Sequence, residues 1–446
     1  MKQPNVIVFF TDQQRWDTTG AHGNPMGLTP VFDRMAARGT FLAQSFSCQP
    51  VCGPARSCLQ SGMYATTTGC YRNGIALPED TPTLAHYYKK AGYHTGYIGK
   101  WHLAGQEPVS AQRRGSYEAW LGANCLESVS DAYNTILYDN DDQEVFLPGY
   151  RVDAMTDASI RYIHDHKDQP FFLFVSYLEP HHQNHRDDYP APIGYEERYR
   201  GGWTPPDLQA LGGSVYQHLA GYYGMVKRLD EALGRILDAL ISMDLEQDTI
   251  VLFTSDHGNH FKTRNGEYKR SCHDSSIRVP TAVQGPGFWR GGHMENLVSL
   301  IDLPPTLLDA CGIEVPDAMQ GQSLMPCIRG QASGWQEEVF IQISEVQVER
   351  AVRTKRWKYS VHAPHKDGWA DMGSDEYEEY CLYDLLSDPY ELTNLIGMVS
   401  HRKTADHLKA RLLRRMEEAG EAVPVVRDAP AIQSGQRRVD TFEIHA

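Results

Sequence analysis

Asp248-Thr-Ile-Val-Leu-Phe-Thr254 runs directly into Ser255-Asp256-His257-Gly258. The run before Ser255 is β-branched and aromatic without a break, which reads as a strand buried on both faces. Strands of that kind belong to mostly parallel sheets covered by helices on each side. Asp256 and His257 then stand just past the strand's carboxyl end, where open α/β sheets bind ligands.

The same arrangement recurs outward along the chain. Val6-Ile-Val-Phe-Phe10 ends in Thr11-Asp12-Gln13-Gln14. His94-Thr-Gly-Tyr-Ile98 ends in Gly99-Lys100-Trp101-His102. Pro170-Phe-Phe-Leu-Phe-Val-Ser176 leads to Tyr177-Leu-Glu-Pro-His181-His182-Gln-Asn-His185. Taken singly, an Asp after a strand is usually a turn cap, and a Lys is usually a solvated surface residue. Recurrence at four strands predicts a single site at the carboxyl edge of a parallel sheet. Three histidines at 181, 182 and 185 could form a metal cluster of their own, but no carboxylate nearby has suitable spacing.

Cys52-Gly53-Pro54-Ala55-Arg56 supplies a different chemistry. Pro54 suits a first helical turn and Gly62 suits the helix end. Cys52 then lies at a helix N-terminus, where free N–H groups and the dipole favour an anion, and Arg56 adds a positive fork. The plain alternative is a buried free thiol. A zinc cluster of Cys48, Cys52, Cys58 and Cys70 lacks the Cys-x-x-Cys spacing such sites use.

The remaining pattern is ordinary α/β. Helices are predicted over 29–38, with Thr29 as cap and Gly39 as stop, over 82–91, 153–166 and 402–419, and from Tyr216 to Met243. Residues 104–150 and 186–214 read as loops and short elements of a pocket rim. Beyond about residue 336 the pattern turns to short antiparallel strands. The last ~25 residues read as a polar tail that wraps the body or meets another subunit in a homo-oligomer.

Length and composition set limits. A chain of 446 residues can bury a large core plus a smaller one. Its 57 acidic against 42 basic residues give a net charge of −15, which argues against nucleic acid as a partner. Nine scattered cysteines argue against a disulfide framework. The apolar run at 6–10 is too short for a leader peptide, and no run approaches a membrane span, so the expectation is a cytoplasmic protein without a membrane partner.

Cys52-x-Pro54-x-Arg56 resembles the maturation signature of the type I sulfatases of the alkaline phosphatase superfamily. Gly-Lys-Trp-His at 99–102, Pro180-His181, Ser-Asp-His-Gly at 255–258 and Asp302-Leu-Pro-Pro-Thr-Leu-Leu extend the likeness. So does Asp388-Pro-Tyr-Glu-Leu-Thr-Asn394-Leu in the C-terminal part. The resemblance implies an alkaline-phosphatase-like fold: a large mixed, mostly parallel sheet flanked by helices over 1–335, then a small α+β subdomain with an antiparallel sheet over 336–446. It implies a hydrolase of sulfuric esters, acting on a sulfated carbohydrate or similar small ester. It also implies conversion of Cys52 to formylglycine by a separate generating enzyme or anaerobic maturase.

By the same resemblance, Asp12, Gln13, Asp256, His257 and residue 52 hold one divalent cation. Gln13 and His257 stand where many sulfatases have Asp and Asn, which keeps calcium first and makes manganese plausible. Arg56, Lys100, His102, His181 and Lys269 are the implied catalytic companions. Asn73, His182, His185 and His273 are the implied substrate contacts. The implied reaction is attack of the aldehyde hydrate on sulfur, protonation of the leaving alcohol by His181 with Lys269, and release of sulfate by the hydrate's second hydroxyl. The Asp-Gln with Asp-His pattern also resembles phosphonate monoester and phosphate diester hydrolases with the same aldehyde. A binding protein that has lost catalysis would show a vacant ligand or nucleophile position, and none is vacant.

Overall fold

The computed structural model describes residues 3–331 and 334–433. The predicted tail from 434 onward therefore lies outside the described residues.

Ten strands form one sheet: β1 Asn5–Thr11, β2 Thr40–Phe46, β3 His94–Lys100, β4 Ala119–Ala123, β5 Thr135–Tyr138, β6 Glu144–Leu147, β7 Phe171–Ser176, β8 Thr249–Ser255, β9 Ala282–Gln284 and β10 Gly292–Ser299. Their order is β10-β2-β9-β8-β1-β7-β3-β4-β5-β6. The central run β8-β1-β7-β3-β4 is parallel throughout, and β9 is antiparallel to both its neighbours. Thr11 pairs with Ser255, Phe10 with Ser176 and Gly99 with Ser176, so the carboxyl ends of four strands finish side by side. That alignment brings distant polar residues into one place.

Why these runs are central strands is visible in their burial. Val6, Val8 and Phe10 enter the core on one face, while Ile7 and Phe9 enter the core on the other. Ile250 and Leu252 alternate with Val251 and Phe253 in the same way. A strand with apolar residues on both faces is stable only between two helical layers. One layer carries α1 Pro30–Arg38, a later helix Arg151–His166 and the long helix Val215–Ser242; the other carries Cys52–Ser61. In chain order these become α1 (Pro30–Arg38), α2 (Cys52–Ser61), α3 (Arg151–His166) and α4 (Val215–Ser242). Gly62 ends α2 in the left-handed region, with φ 71, and its N–H returns to the Cys58 carbonyl.

A second sheet runs β11-β12-β13-β14-β15, from Glu338–Ile343, Glu349–Thr354, Trp357–His362, Glu376–Asp384 and Val425–Arg427. Its first four strands are antiparallel, and β15 adds a parallel edge. The helix α5, Arg402–Glu418, packs on it through Ala405, Leu408, Leu412 and Met416. This is the large, mostly parallel sheet with a small antiparallel partner that the sequence implies.

Two stretches carry more structure than their sequence suggests. Residues 104–150 include β4, β5 and β6, which complete one edge of the sheet. Thr40–Phe46 forms β2 although Thr40, Gln44 and Ser45 interrupt its apolar pattern. All three side chains find partners: Thr40 Oγ1 donates to the Phe288 carbonyl, Gln44 Nε2 to Glu295 Oε2, and Ser45 Oγ accepts from Thr281 Oγ1.

Candidate active site

The aligned strand ends place Asp12 and Asp256 beside each other. Gln13 adopts a left-handed backbone, φ 68, and its N–H donates to Asp256 Oδ1 at 2.9 Å. A non-glycine residue held at positive φ is a mark of local constraint. The N–H of His257 donates to the same oxygen at 2.8 Å. Cys52 opens α2 and is 1% exposed. Its Sγ lies 3.5 Å from Asp12 Oδ1 and 3.3 Å from His257 Nε2. The ligand atoms of Asp12, Cys52, Asp256 and His257 all lie within 4.8 Å of one another, and all four residues are buried.

Three cations surround this group. Arg56 Nη2 donates to Asp12 Oδ2 at 2.9 Å, and Arg56 Nη1 donates to the Lys100 carbonyl and to Ser176 Oγ. Lys100 Nζ donates to the same Asp12 oxygen at 2.9 Å and to Glu127 Oε1 at 2.9 Å. Lys269 Nζ stands 2.8 Å from Cys52 Sγ and 3.2 Å from His181 Nε2. Burial alone would push the Asp12 carboxyl up, but Lys100, His181, Arg56 and Lys269 together hold it well below the usual carboxylate range. Burial and Asp12 push the Cys52 thiol up, yet Lys100, Lys269 and His257 outweigh them and bring it down to about 6. Asp256 moves the other way, to about 7, because burial and the Asp12 charge oppose its ionisation.

The histidines divide by place. His181 Nδ1 faces the carbonyl of His182 at 2.6 Å, which puts the ring proton on Nδ1 and the lone pair on Nε2 toward Lys269. His182 stacks on His181 at 4.3 Å between centroids. His102 follows β3 with φ 59, and its carbonyl lies 3.3 Å from where a Cβ on Gly53 would sit. Asn73 Oδ1 accepts the Gly53 N–H at 2.9 Å, so it holds the first turn of α2. His185 sits on the rim with its side chain 57% exposed. His273 Nε2 meets the Tyr383 hydroxyl of β14 at 3.2 Å.

Several partners were not singled out from the sequence. Glu127 is buried and ion-paired to Lys100. Ser176 anchors Arg56, and Tyr189 OH accepts from Gln13 Nε2 at 3.1 Å. Glu345, from the turn between β11 and β12, accepts the Asn73 N–H and pairs with Arg270, next to Lys269. Each is a lone polar residue whose partner is distant in sequence, so spacing gives no signal.

The donor set fits a divalent cation. Gln13 spends its amide N–H on Tyr189, which leaves Oε1 buried without a hydrogen bond, and Asp256 Oδ2 is buried without one too, with Arg56 Nη2 3.6 Å away. Two buried carboxylates and an imidazole nitrogen within 4.8 Å of one another, with a buried amide oxygen on the residue after Asp12, are a hard-to-borderline ligand set. A cation among them would remove the repulsion between Asp12 and Asp256.

Carboxylates, cations and a helix N-terminus converging on one residue at the edge of such a sheet define a hydrolase of tetrahedral oxyanion esters. The chain belongs to the sulfatase family, within the alkaline phosphatase superfamily: the family described as Sulfatase matches residues 4–313, and N-sulphoglucosamine sulphohydrolase, C-terminal, matches residues 266–418. It is a sulfatase enzyme by that membership. It is 29% identical to the ulvan-active sulfatase of Formosa agariphila, over 94% of this chain and 82% of that one. It is 22% identical to the N-acetylglucosamine-6-O-sulfatase of Bacteroides thetaiotaomicron, over 98% of this chain and 90% of the relative. The structure of the sulfatase yidJ from Bacteroides fragilis superposes with a TM-score of 0.82 at 25% identity, covering 95% of this chain and 97% of that one.

Proposed function

We propose that the chain removes sulfate from a sulfated carbohydrate or similar small sulfate ester, with formylglycine made from Cys52 and one divalent cation. The observation that carries this reading is the group around Cys52 Sγ: four metal-type side chains within 4.8 Å, with Lys269 Nζ at 2.8 Å. Relatives named for ulvan and for N-acetylglucosamine sulfate favour a saccharide. Asp12, Gln13, Asp256, His257 and residue 52 would hold the cation, calcium first and manganese second because of the imidazole.

The cation and the aldehyde hydrate would supply an oxygen nucleophile at neutral pH. The chain's own residues do the rest. Arg56 and Lys100 fix Asp12 and, with Lys269, face the oxygens on which negative charge grows. The Lys269 ammonium, 3.2 Å from the His181 Nε2 lone pair, is the proton source, and His181 Nε2 would relay that proton to the departing alcohol. His102 and Asn73 border the first turn of α2, and His182 and His185 border the mouth.

Cys52 is 1% exposed, so the maturing enzyme has to meet it before this fold closes. Catalysis is assigned to residues 1–335 and the subdomain to 336–446, a boundary supported by the gap between strands Gly292–Ser299 and Glu338–Ile343. Among the described residues no helix is long and apolar enough to cross a membrane.

Matured protein should be assayed on paired aryl sulfate, aryl phosphonate monoester and aryl phosphodiester substrates, then on defined sulfated saccharides. This reading expects the sulfate esters to be hydrolysed fastest. Background rates on sulfates beside fast diester hydrolysis would transfer the same site to the phosphonate and phosphodiester class.

A further inference from the structure

A second ligand group lies beside the first and shares no residue with it. One ligand atom each from His102, Cys125 and Glu127 falls within 4.8 Å of the other two. The three arrive from separate places: His102 just past β3, Cys125 just past β4, and Glu127 in the short helix Leu126–Val129 that follows. β3 and β4 are parallel neighbours, so the two turns leave the same edge of the sheet together.

Unused polar atoms gather here. Glu127 is 4% exposed and gives Oε1 to Lys100, while its Oε2 is buried with no partner. His102 Nδ1 is buried with no partner. Glu107 accepts the Cys125 N–H through Oε1 at 2.6 Å, and its Oε2 is likewise buried and unpartnered. A buried polar atom without a hydrogen bond is costly, so two carboxylate oxygens and a ring nitrogen left so around one thiol call for an explanation. His102 also holds a left-handed backbone, φ 59. Cys125 itself is half-buried, leaving the group open to ions from solvent.

We infer that His102, Cys125 and Glu127 form a second metal site, for a borderline-to-soft divalent cation of the zinc class. Imidazole, thiolate and carboxylate together select Zn2+ over the calcium class, and three protein ligands leave one position for water. Binding forms Zn–N, Zn–S and Zn–O bonds and releases the Cys125 thiol proton to solvent, with no change of oxidation state.

Co2+ is the probe, as a spectroscopically visible substitute for Zn2+. The titration uses the full chain carrying Cys52→Ser, in which residue 52 offers no thiolate. The expected result is an intense near-ultraviolet thiolate-to-cobalt band with tetrahedral visible bands, abolished by adding Zn2+. Both bands should be lost when Cys125→Ser is added to the same background. A cobalt–thiolate band that survives Cys125→Ser, or none in the Cys52→Ser chain, overturns the site. Far-UV circular dichroism of both variants checks that they fold; should Cys52→Ser fail to fold, the same titration of wild type against Cys125→Ser reads the difference band. The test reads no activity, so its failure leaves the sulfatase reading standing.

Discussion

Asp12 Oδ2 takes hydrogen bonds from two buried cations, Arg56 and Lys100, at 2.9 Å each. Lys100 in turn holds Glu127. In such a chain the loss of one member strands the others: removing one partner of a buried pair typically costs about 3–5 kcal/mol. Lys100→Met is therefore expected to lower the denaturant midpoint by that order and to abolish most turnover, measured on the same preparation. Glu127 gives a pH test. Burial alone would raise its carboxyl, but Lys100 and then His102 bring it from 4.5 down to about 2. A depressed carboxyl adds stability that is complete above the unfolded value and fades as pH falls toward the folded one. The stability gap between wild type and Glu127→Gln should thus shrink as pH drops from about 5 to about 2. An unchanged gap over that range would remove the ion pair from the account.

Elements are fixed by bonds that cross between them. The N-terminus of α1 has no cap from its own Thr29; instead Asp230, on α4, accepts the N–H groups of Val31 and Phe32, the latter at 2.8 Å. Loss of a helix cap costs about 1–2 kcal/mol, so Asp230→Ala should lower stability by that amount while Asp230→Asn keeps most of it, read from urea unfolding. This cap also shows what sequence can and cannot reveal. The α1 boundaries were legible from Thr29, Pro30 and Gly39, yet the true cap lies 198 positions from Phe32. β1, β7, β8 and α4 were legible because each is a pure run or stripe of buried apolar residues. β2 and β4 to β6 were not, because short strands with polar members show no period. Recurrence at strand ends points to Asp12, Lys100, His181 and Asp256, whose side chains the fold gathers, whereas Glu127 and Ser176 carry no such signal, since only the fold brings them to Lys100 and Arg56. His273 has the sequence position of a pocket residue, but the small sheet claims its ring through Tyr383.

The two sheets are joined by a buried charge network. Lys358 of β13 donates to Asp274 Oδ1 at 2.6 Å and also to Glu391, while Arg353 of β12 reaches Asp274 Oδ2 at 3.1 Å. Asp274 lies on the segment that carries Lys269 and His273, so the small sheet braces one wall of the site. Lys358→Met should cost about 3–5 kcal/mol and lower kcat/KM together with stability. Full activity with only a lower denaturation midpoint would confine the network to a structural role. At the scale of the whole reaction, the proposed function depends on oxygen rather than sulfur at position 52. The direct measurement is peptide mass across residue 52 set against specific sulfatase activity in preparations of varied maturation. Conversion lowers the mass by about 18 Da. Activity should rise in proportion to the converted fraction and fall to zero with it; full activity in an unconverted chain would contradict the account.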